Sequence, residues 1–198
     1  MIAVDENEST PEYAMEYMDC GNLQEHNQKK FKKESLPLHV TPLQVAWVLA
    51  NALADLHRNN VLHRDLKSQN VLLSTEYFIK LGDFGTAREV NPLMTGYPGT
   101  ERYHAPEVLD SDPTYSCPSD IYSFGVILTE LDTLQIPYIG QRYRDDLVRD
   151  GKLRPNVSDS CEQWLRGLSD KCLDFDPDKR PTAEEIVALL EIEISNTN

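Results

Sequence analysis

Between residues 63 and 70 the chain reads His63-Arg64-Asp65-Leu66-Lys67-Ser68-Gln69-Asn70, and Asp83-Phe84-Gly85 follows. Asp65 is a carboxylate that can take a proton from an alcohol. Lys67 is a cation two residues away that can meet developing charge. Asn70 and Asp83 supply an amide oxygen and a carboxylate, the hard donors that magnesium prefers when it shares its shell with phosphates and water. Moving a phosphoryl group needs a positioned nucleophile, cations on the phosphates and exclusion of water rather than covalent help from the protein. Each residue alone has an ordinary reading: a surface aspartate, a turn, a core histidine. Their joint order is what makes the chemical reading stronger than the ordinary ones.

These residues need elements to position them. Thr41-Pro42 is a helix start, with a capping hydroxyl and then proline at the first helical position. Val45, Val48, Leu49, Ala52, Leu53 and Leu56 recur at helical spacing and face a core, and Asn59-Asn60 ends the helix. Val71–Leu73 and Phe78–Leu81 read as a short antiparallel pair around Ser74-Thr75-Glu76, carrying the first motif into Asp83. Residues 1–4 and 12–18 read as two strands around a polar turn, and a short helix follows Gly21. The segment from Arg88 to Tyr103 has no periodicity and contains Asn91-Pro92, Gly96, Pro98 and Gly99, which marks a long loop of the kind that is either functional or disordered. Four more helices are expected: Ser119–Leu131, apolar nearly all round and so central; Tyr143–Asp150, stopped by Gly151; Cys161–Cys172; and Thr182–Glu193, opened by a Thr182/Glu185 capping box.

The motifs together resemble the catalytic domain of eukaryotic protein kinases, and Ala105-Pro106-Glu107 closes the loop where that family does. The resemblance implies an α+β fold, the large lobe of a kinase, mainly helical with short β-hairpins. It divides the chain into 1–22, a remnant of small-lobe strands and the hinge; 23–193, the large lobe; and 194–198, a frayed tail. It implies a protein kinase using ATP and Mg2+, with Asp65 as catalytic base, Lys67 on the transferred phosphate, Asn70 and Asp83 on magnesium, and Thr100 hydrogen-bonded to Asp65 and Lys67. The segment Ala14–Leu23 resembles the hinge where adenine binds. There the Glu16 carbonyl and Met18 N–H would hold the base, with Met15 behind it, Asn22 near the ribose and Leu72 beneath the ring. His63 and Phe84 would be packing residues. Glu107 and Arg180 would form a buried ion pair, and Asp120 would hold the catalytic-loop backbone. Arg64 could bind a loop phosphate carried by Thr86, Thr95 or Tyr97, with Thr95 preferred.

Lys67 with Asn70, and Gly99-Thr100, match the serine/threonine pattern. Ser68-Gln69, Asp120–Gly125 and Arg180-Pro181-Thr182 are most similar to its tyrosine-kinase-like branch. Two departures are Ser68 in place of the commoner proline and His104 in place of the commoner apolar residue. Within these 198 residues no glycine-rich flap and no strand lysine precede the hinge. Three readings meet that observation: a fragment of a kinase with weak or no transfer by itself, a pseudokinase-like binding or scaffold module, and a nucleotide-binding regulator.

Composition bounds the rest. The chain carries 33 acidic against 19 basic residues, a net charge of −14. That excess works against nucleic acid as a partner, since phosphate neutralisation needs clustered cations. The one basic run, Lys29, Lys30, Lys32 and Lys33, reads as a solvated face. Four cysteines without a Cys-x-x-Cys pair read as reduced thiols rather than a zinc site. The first residues are too short and acidic for a signal peptide. No apolar run approaches the roughly 18 residues of a membrane span. The expectation is a soluble, cytoplasmic, monomeric protein that binds ATP and a Ser/Thr-containing protein substrate.

Overall fold

The computed structural model describes residues 3–5, 12–83, 88–89 and 101–197, with side chains described from 14 to 83 and from 102 to 197. Helix α1 (Leu23–Phe31) starts where the Asn22 carboxamide accepts the Glu25 N–H at 3.0 Å. Helix α2 (Pro42–Arg58) starts at a reciprocal cap: Thr41 Oγ1 accepts the Gln44 N–H at 3.2 Å, and Gln44 Oε1 accepts the Thr41 N–H at 2.9 Å. Both satisfy N–H groups that the first helical turn leaves without partners. The expected stripe on α2 is inward: Val45, Leu49 and Leu53 are fully buried, and Val48 and Leu56 pack at the core's edge.

Helix α3 (Cys117–Thr133) is the centre of the fold, buried continuously from Ser119 to Leu131. Helices α4 (Asp145–Arg149), α5 (Gln163–Cys172) and α6 (Ala183–Thr197) complete the α-helices among the described residues. α6 packs on α2, and α5 packs on α3. Close approach of α5 is possible because α3 carries Gly125. A Cβ there would meet the Cys172 Cβ at 2.8 Å and Leu173 Cγ at 3.0 Å. Helix propensity favours alanine over glycine by about 1 kcal/mol, but overpacking costs about 1–3 kcal/mol. Gly125→Ala is therefore expected to destabilise the protein on balance, by about 1 kcal/mol in urea unfolding; unchanged or raised stability would mean that α5 can move aside.

The strands are short. β1 (Ala3–Asp5) pairs antiparallel with β2 (Glu12–Ala14), Ala3 opposite Ala14. β3 (Val61–Leu62) pairs with β6 (Arg88–Glu89), a pairing that the sequence did not announce. β4 (Val71–Ser74) pairs with β5 (Phe78–Leu81), Val71 opposite Leu81. Three expectations need correction. The second strand stops at Ala14 instead of Met18, because the chain beyond it leaves the ladder as an irregular linker. The fourth helix is shorter than Tyr143–Asp150. The tail expected to fray from 194 is helical through Thr197, where the Ser195 and Thr197 hydroxyls bond back to the Glu191 and Glu193 carbonyls at 2.8 Å each. All four cysteines are free thiols. Among the described residues no helix is long and apolar enough to cross a membrane.

Candidate active site

The loop from His63 to Asn70 lies between β3 and β4, and α3 holds it from beneath. One carboxylate does most of this: Asp120 accepts the His63 N–H at 2.9 Å and the Arg64 N–H at 3.0 Å, and shares a 3.0 Å contact with the His57 imidazole. Arg64 sits at φ +69°, a left-handed conformation that few arginines adopt unless held there. Its guanidinium lies over the Tyr115 ring at 4.7 Å. His63 is fully buried and its Nε2 meets the Gly82 carbonyl at 3.1 Å. The packing role expected of His63 fits this burial; Phe84 lies outside the described residues.

Two of the candidate side chains, Lys67 and Asn70, meet at a third, Asp65. Asp65 Oδ2 accepts from Lys67 Nζ at 2.6 Å and from Asn70 Nδ2 at 3.2 Å, and Asn70 Nδ2 also donates to the Asp65 carbonyl at 2.8 Å. Both amide hydrogens of Asn70 are engaged toward Asp65, so its oxygen is the atom left to serve a cation. Asn70's own carbonyl accepts the Gly82 N–H at 2.8 Å. Gly82 is thus tied to both His63 and Asn70, and the next residue, Asp83, is an exposed carboxylate at φ +59°. The donor set of Asn70 amide and Asp83 carboxylate suits magnesium in its oxygen chemistry. Thr100, Thr86, Thr95 and Tyr97 lie outside the described residues.

The expected nucleotide edge borders the same loop. Cys20 N–H donates to the Leu73 carbonyl at 3.0 Å and Leu73 N–H to the Gly21 carbonyl at 2.9 Å, so the linker runs along β4, with Asn22 bridged to Leu72. Leu72 also abuts Gly82: a Cβ on that glycine would stand 2.9 Å from Leu72 Cδ1. Met15 and Tyr17 are exposed, and Glu16 pairs with Lys80 at 2.9 Å. Asp19 is anchored to the β4–β5 turn by the Thr75 hydroxyl and N–H, which with Ser74 hold its carboxyl down at about 2. Asn22, expected near a ribose, has its side-chain oxygen engaged as the α1 cap.

Two groups escaped the sequence reading. Glu130 is buried in α3 and accepts from Ser68 Oγ at 3.1 Å and from the Tyr103 hydroxyl at 2.8 Å. It joins the His63–Asn70 loop to the segment before Ala105-Pro106-Glu107. Burial pushes its carboxyl up to about 7 against the pull of those two hydroxyls. A carboxylate inside an otherwise apolar helical run was the available signal. For His57, burial works downward, but the hydrogen bonds to Asp120 and Cys117 outweigh it and lift the imidazole to about 9. Its position four residues after Leu53, on the buried stripe, was the signal there.

These two shifts act on stability in the same direction. Folded His57 holds its proton above its ordinary value, so its contribution is complete below about 6.5 and lost as pH rises through 9. Folded Glu130 is protonated where the unfolded carboxyl is not, so a penalty grows from about 4.5 and is complete above 7. Stability is expected to fall between pH 5 and 9, with each group contributing on the order of 3 kcal/mol. Urea unfolding at pH 5, 7 and 9 checks this. His57→Gln should flatten the upper part of the profile and Glu130→Gln the lower; a wild-type profile that is flat or rises contradicts the assignment.

A protein kinase domain family model matches residues 2–189. The chain is 37% identical over 182 residues to a probable serine/threonine-protein kinase of Dictyostelium discoideum, covering 89% of this chain and 14% of that protein. It is 38% identical over 184 residues to the serine/threonine/tyrosine-protein kinase HT1 of Arabidopsis thaliana, covering 89% of this chain and 45% of that protein. It is 35% identical over 183 residues to the Arabidopsis serine/threonine-protein kinase STY17, covering 88% and 31%. The chain spans less than half the length of each of these relatives. With the match running through every loop described above, this chain belongs to the protein kinase domain family.

Proposed function

We propose that this chain is the large lobe and hinge of a serine/threonine protein kinase, transferring the terminal phosphate of ATP to a Ser or Thr hydroxyl of a protein. The supporting observation is the convergence of Lys67 and Asn70 on Asp65, with Asp83 one residue beyond a glycine tied to both His63 and Asn70. Asp65 orients the substrate hydroxyl and accepts its proton. Lys67 spreads the charge that develops on the transferred phosphate. Asn70 and Asp83 would hold Mg2+, which when bound neutralises phosphate charge. Met15, Glu16, Met18 and Leu72 border the adenine, and residues 1–22 form the hinge and the end of a small lobe. Thr100 belongs to the same set by its place in the motif. ATP and a protein substrate are the partners this reading requires.

Residues 1–198 contain no glycine-rich flap, so the phosphates on this lobe alone stay wet and their electrostatic stabilisation is weak. Weak or absent transfer is expected from the 198-residue chain. Robust transfer to a generic Ser/Thr substrate with Mg-ATP is expected once a kinase small lobe is fused before Met1. Failure of the fused protein to phosphorylate anything while still binding ATP would favour a binding module without transfer.

A further inference from the structure

Ser68 stands where the commoner residue of the motif is proline, and the kinase reading leaves its hydroxyl unused. That hydroxyl belongs to a ring of three groups. Ser68 Oγ donates to Glu130 Oε1 at 3.1 Å, the Tyr103 hydroxyl donates to Glu130 Oε2 at 2.8 Å, and the two hydroxyl oxygens stand 3.0 Å apart. All three side chains are buried. The ring joins three stretches that are distant in the chain. Ser68 lies between Lys67 and Asn70, Tyr103 ends the turn Glu101–Tyr103 that follows Thr100, and Glu130 belongs to the central helix α3.

The number of hydrogens in this ring depends on one proton. With the carboxyl ionised, each hydroxyl gives its single hydrogen to the carboxylate, and none is left for the third contact. The Ser68 and Tyr103 oxygens then face each other at 3.0 Å with lone pairs alone. With the carboxyl protonated, its hydrogen goes to one hydroxyl, that hydroxyl turns to the other, and the second returns to the remaining carboxyl oxygen. Three hydrogens serve three contacts, and no charge is buried. Among the described residues no cation pairs with Glu130. Lys67 is paired with Asp65 at 2.6 Å, and Arg102 donates to the Pro137 carbonyl at 2.9 Å. From α1 the contact is the uncharged Asn27 amide, 3.5 Å from the Glu130 carbonyl, beside a buried His26 that desolvation and the nearby Lys30 hold below its ordinary value. Burial, opposed by the two hydroxyls, lifts the Glu130 carboxyl to about 7.

We propose that Glu130 is a positioning residue for phosphoryl transfer, and that its proton locks the Lys67–Asn70 stretch to the turn after Thr100. What the two stretches do rests on the kinase reading; the lock itself rests on the ring. Closed, the ring keeps Asp65 and Lys67 in register with the segment that seats the substrate alcohol. When the proton leaves for solvent, a charge without a counter-ion remains buried, and admission of water between Ser68 and Tyr103 becomes favourable. The sign follows from linkage. The closed form binds the proton more tightly than the opened, hydrated one, so opening grows as pH rises from the ordinary glutamate range and is complete in its gain above about 7.

The test is amide exchange of the 198-residue chain at pH 5 and 7, corrected for the intrinsic rate. Protection of residues 66–70 and 102–105 is expected to fall about tenfold more than that of the α5 amides. Glu130→Gln keeps the ring closed at both pH values, because its amide donates to one hydroxyl and its carbonyl accepts from the other, so the extra fall is expected to vanish. The Glu130 carboxyl carbon in the wild type is expected to titrate at about 7 by NMR. No extra fall in the wild type, an extra fall that persists in folded Glu130→Gln, or a carboxyl that titrates in the ordinary glutamate range would overturn the lock. Should Glu130→Gln fail to fold, the wild-type exchange and titration decide. In the chain fused to a small lobe, KM for a Ser/Thr peptide relative to that of Glu130→Gln is expected to rise about threefold from pH 6 to 8, with KM for ATP unchanged. A ratio that does not move would overturn the positioning role. A fused protein without transfer at either pH counts against the kinase reading, and the exchange result still decides the lock.

Discussion

Asp65→Asn, made in the chain fused to a small lobe, is expected to lower the rate of phosphoryl transfer by about 10²–10⁴, the span that a positioned general base contributes. The substitution keeps the shape of the side chain, and an amide oxygen can still accept from Lys67 and Asn70, which stand at 2.6 and 3.2 Å from Asp65 Oδ2. It removes the capacity to accept a proton and the charge that steadies Lys67. Lys67 is about one-sixth exposed, so water can compensate its lost partner, and the cost in stability is expected to be on the order of 1 kcal/mol. Nucleotide affinity is expected to stay within a few-fold, because the hinge and Asp83 are untouched. The informative pattern is a fall in kcat with little change in KM for ATP. Transfer at the wild-type rate would remove Asp65 from the chemistry, whatever the fold.

The parts of the site legible in the sequence are those carried by contiguous motifs. Asp65, Lys67 and Asn70 lie within six residues of one another, so a single loop conformation brings them together. Helix starts were legible for a similar reason: Thr41 and Gln44, or Thr182 and Glu185, are each three residues apart and bond reciprocally. The β3–β6 pairing was not, because two two-residue strands carry no periodicity and their pairing depends on a loop closing between them. Glu130 and His57 were missed for a different reason. Their partners, Ser68, Tyr103 and Asp120, are 62, 27 and 63 positions away, and their altered proton affinities come from burial that only the packed structure defines. Asp120 shows the intermediate case. The resemblance gave its role on the loop backbone, but its third partner, His57, appeared only when α2 was laid against α3. Fraying was expected of the last few residues as a terminus, whereas Ser195 and Thr197 hold the last turns of α6 by bonding back to carbonyls four residues earlier.

Removing Arg180 should do the greatest damage to the fold. Its side chain is fully buried and donates to both oxygens of Glu107, at 2.7 and 2.9 Å. It also caps the Asp174 carbonyl at 2.8 Å and the Pro118 carbonyl at 3.0 Å, and lies over the Tyr122 ring at 5.0 Å. One guanidinium thus joins the Ala105-Pro106-Glu107 turn, the start of α3 and the loop after α5. In Arg180→Ala those acceptors lose their donor together, and a half-buried Glu107 is left without its counter-charge. Breaking a buried pair at one partner costs about 3–5 kcal/mol, and the expected loss in urea unfolding is in that range. Arg180→Lys is expected to recover little, because an ammonium cannot make the planar two-oxygen contact. Glu107→Gln should cost less than Arg180→Ala, since the guanidinium keeps its three carbonyl partners, one of them the Phe175 carbonyl at 3.4 Å. The double variant distinguishes a shared interaction from independent ones: if Glu107 and Arg180 act as a pair, Arg180→Ala/Glu107→Gln should be less unstable than the sum of the singles by about 1 kcal/mol or more. Strict additivity, or an Arg180→Ala protein as stable as wild type, would mean that the turn is held by other contacts and that the ion pair is incidental to how this lobe fixes the end of its loop.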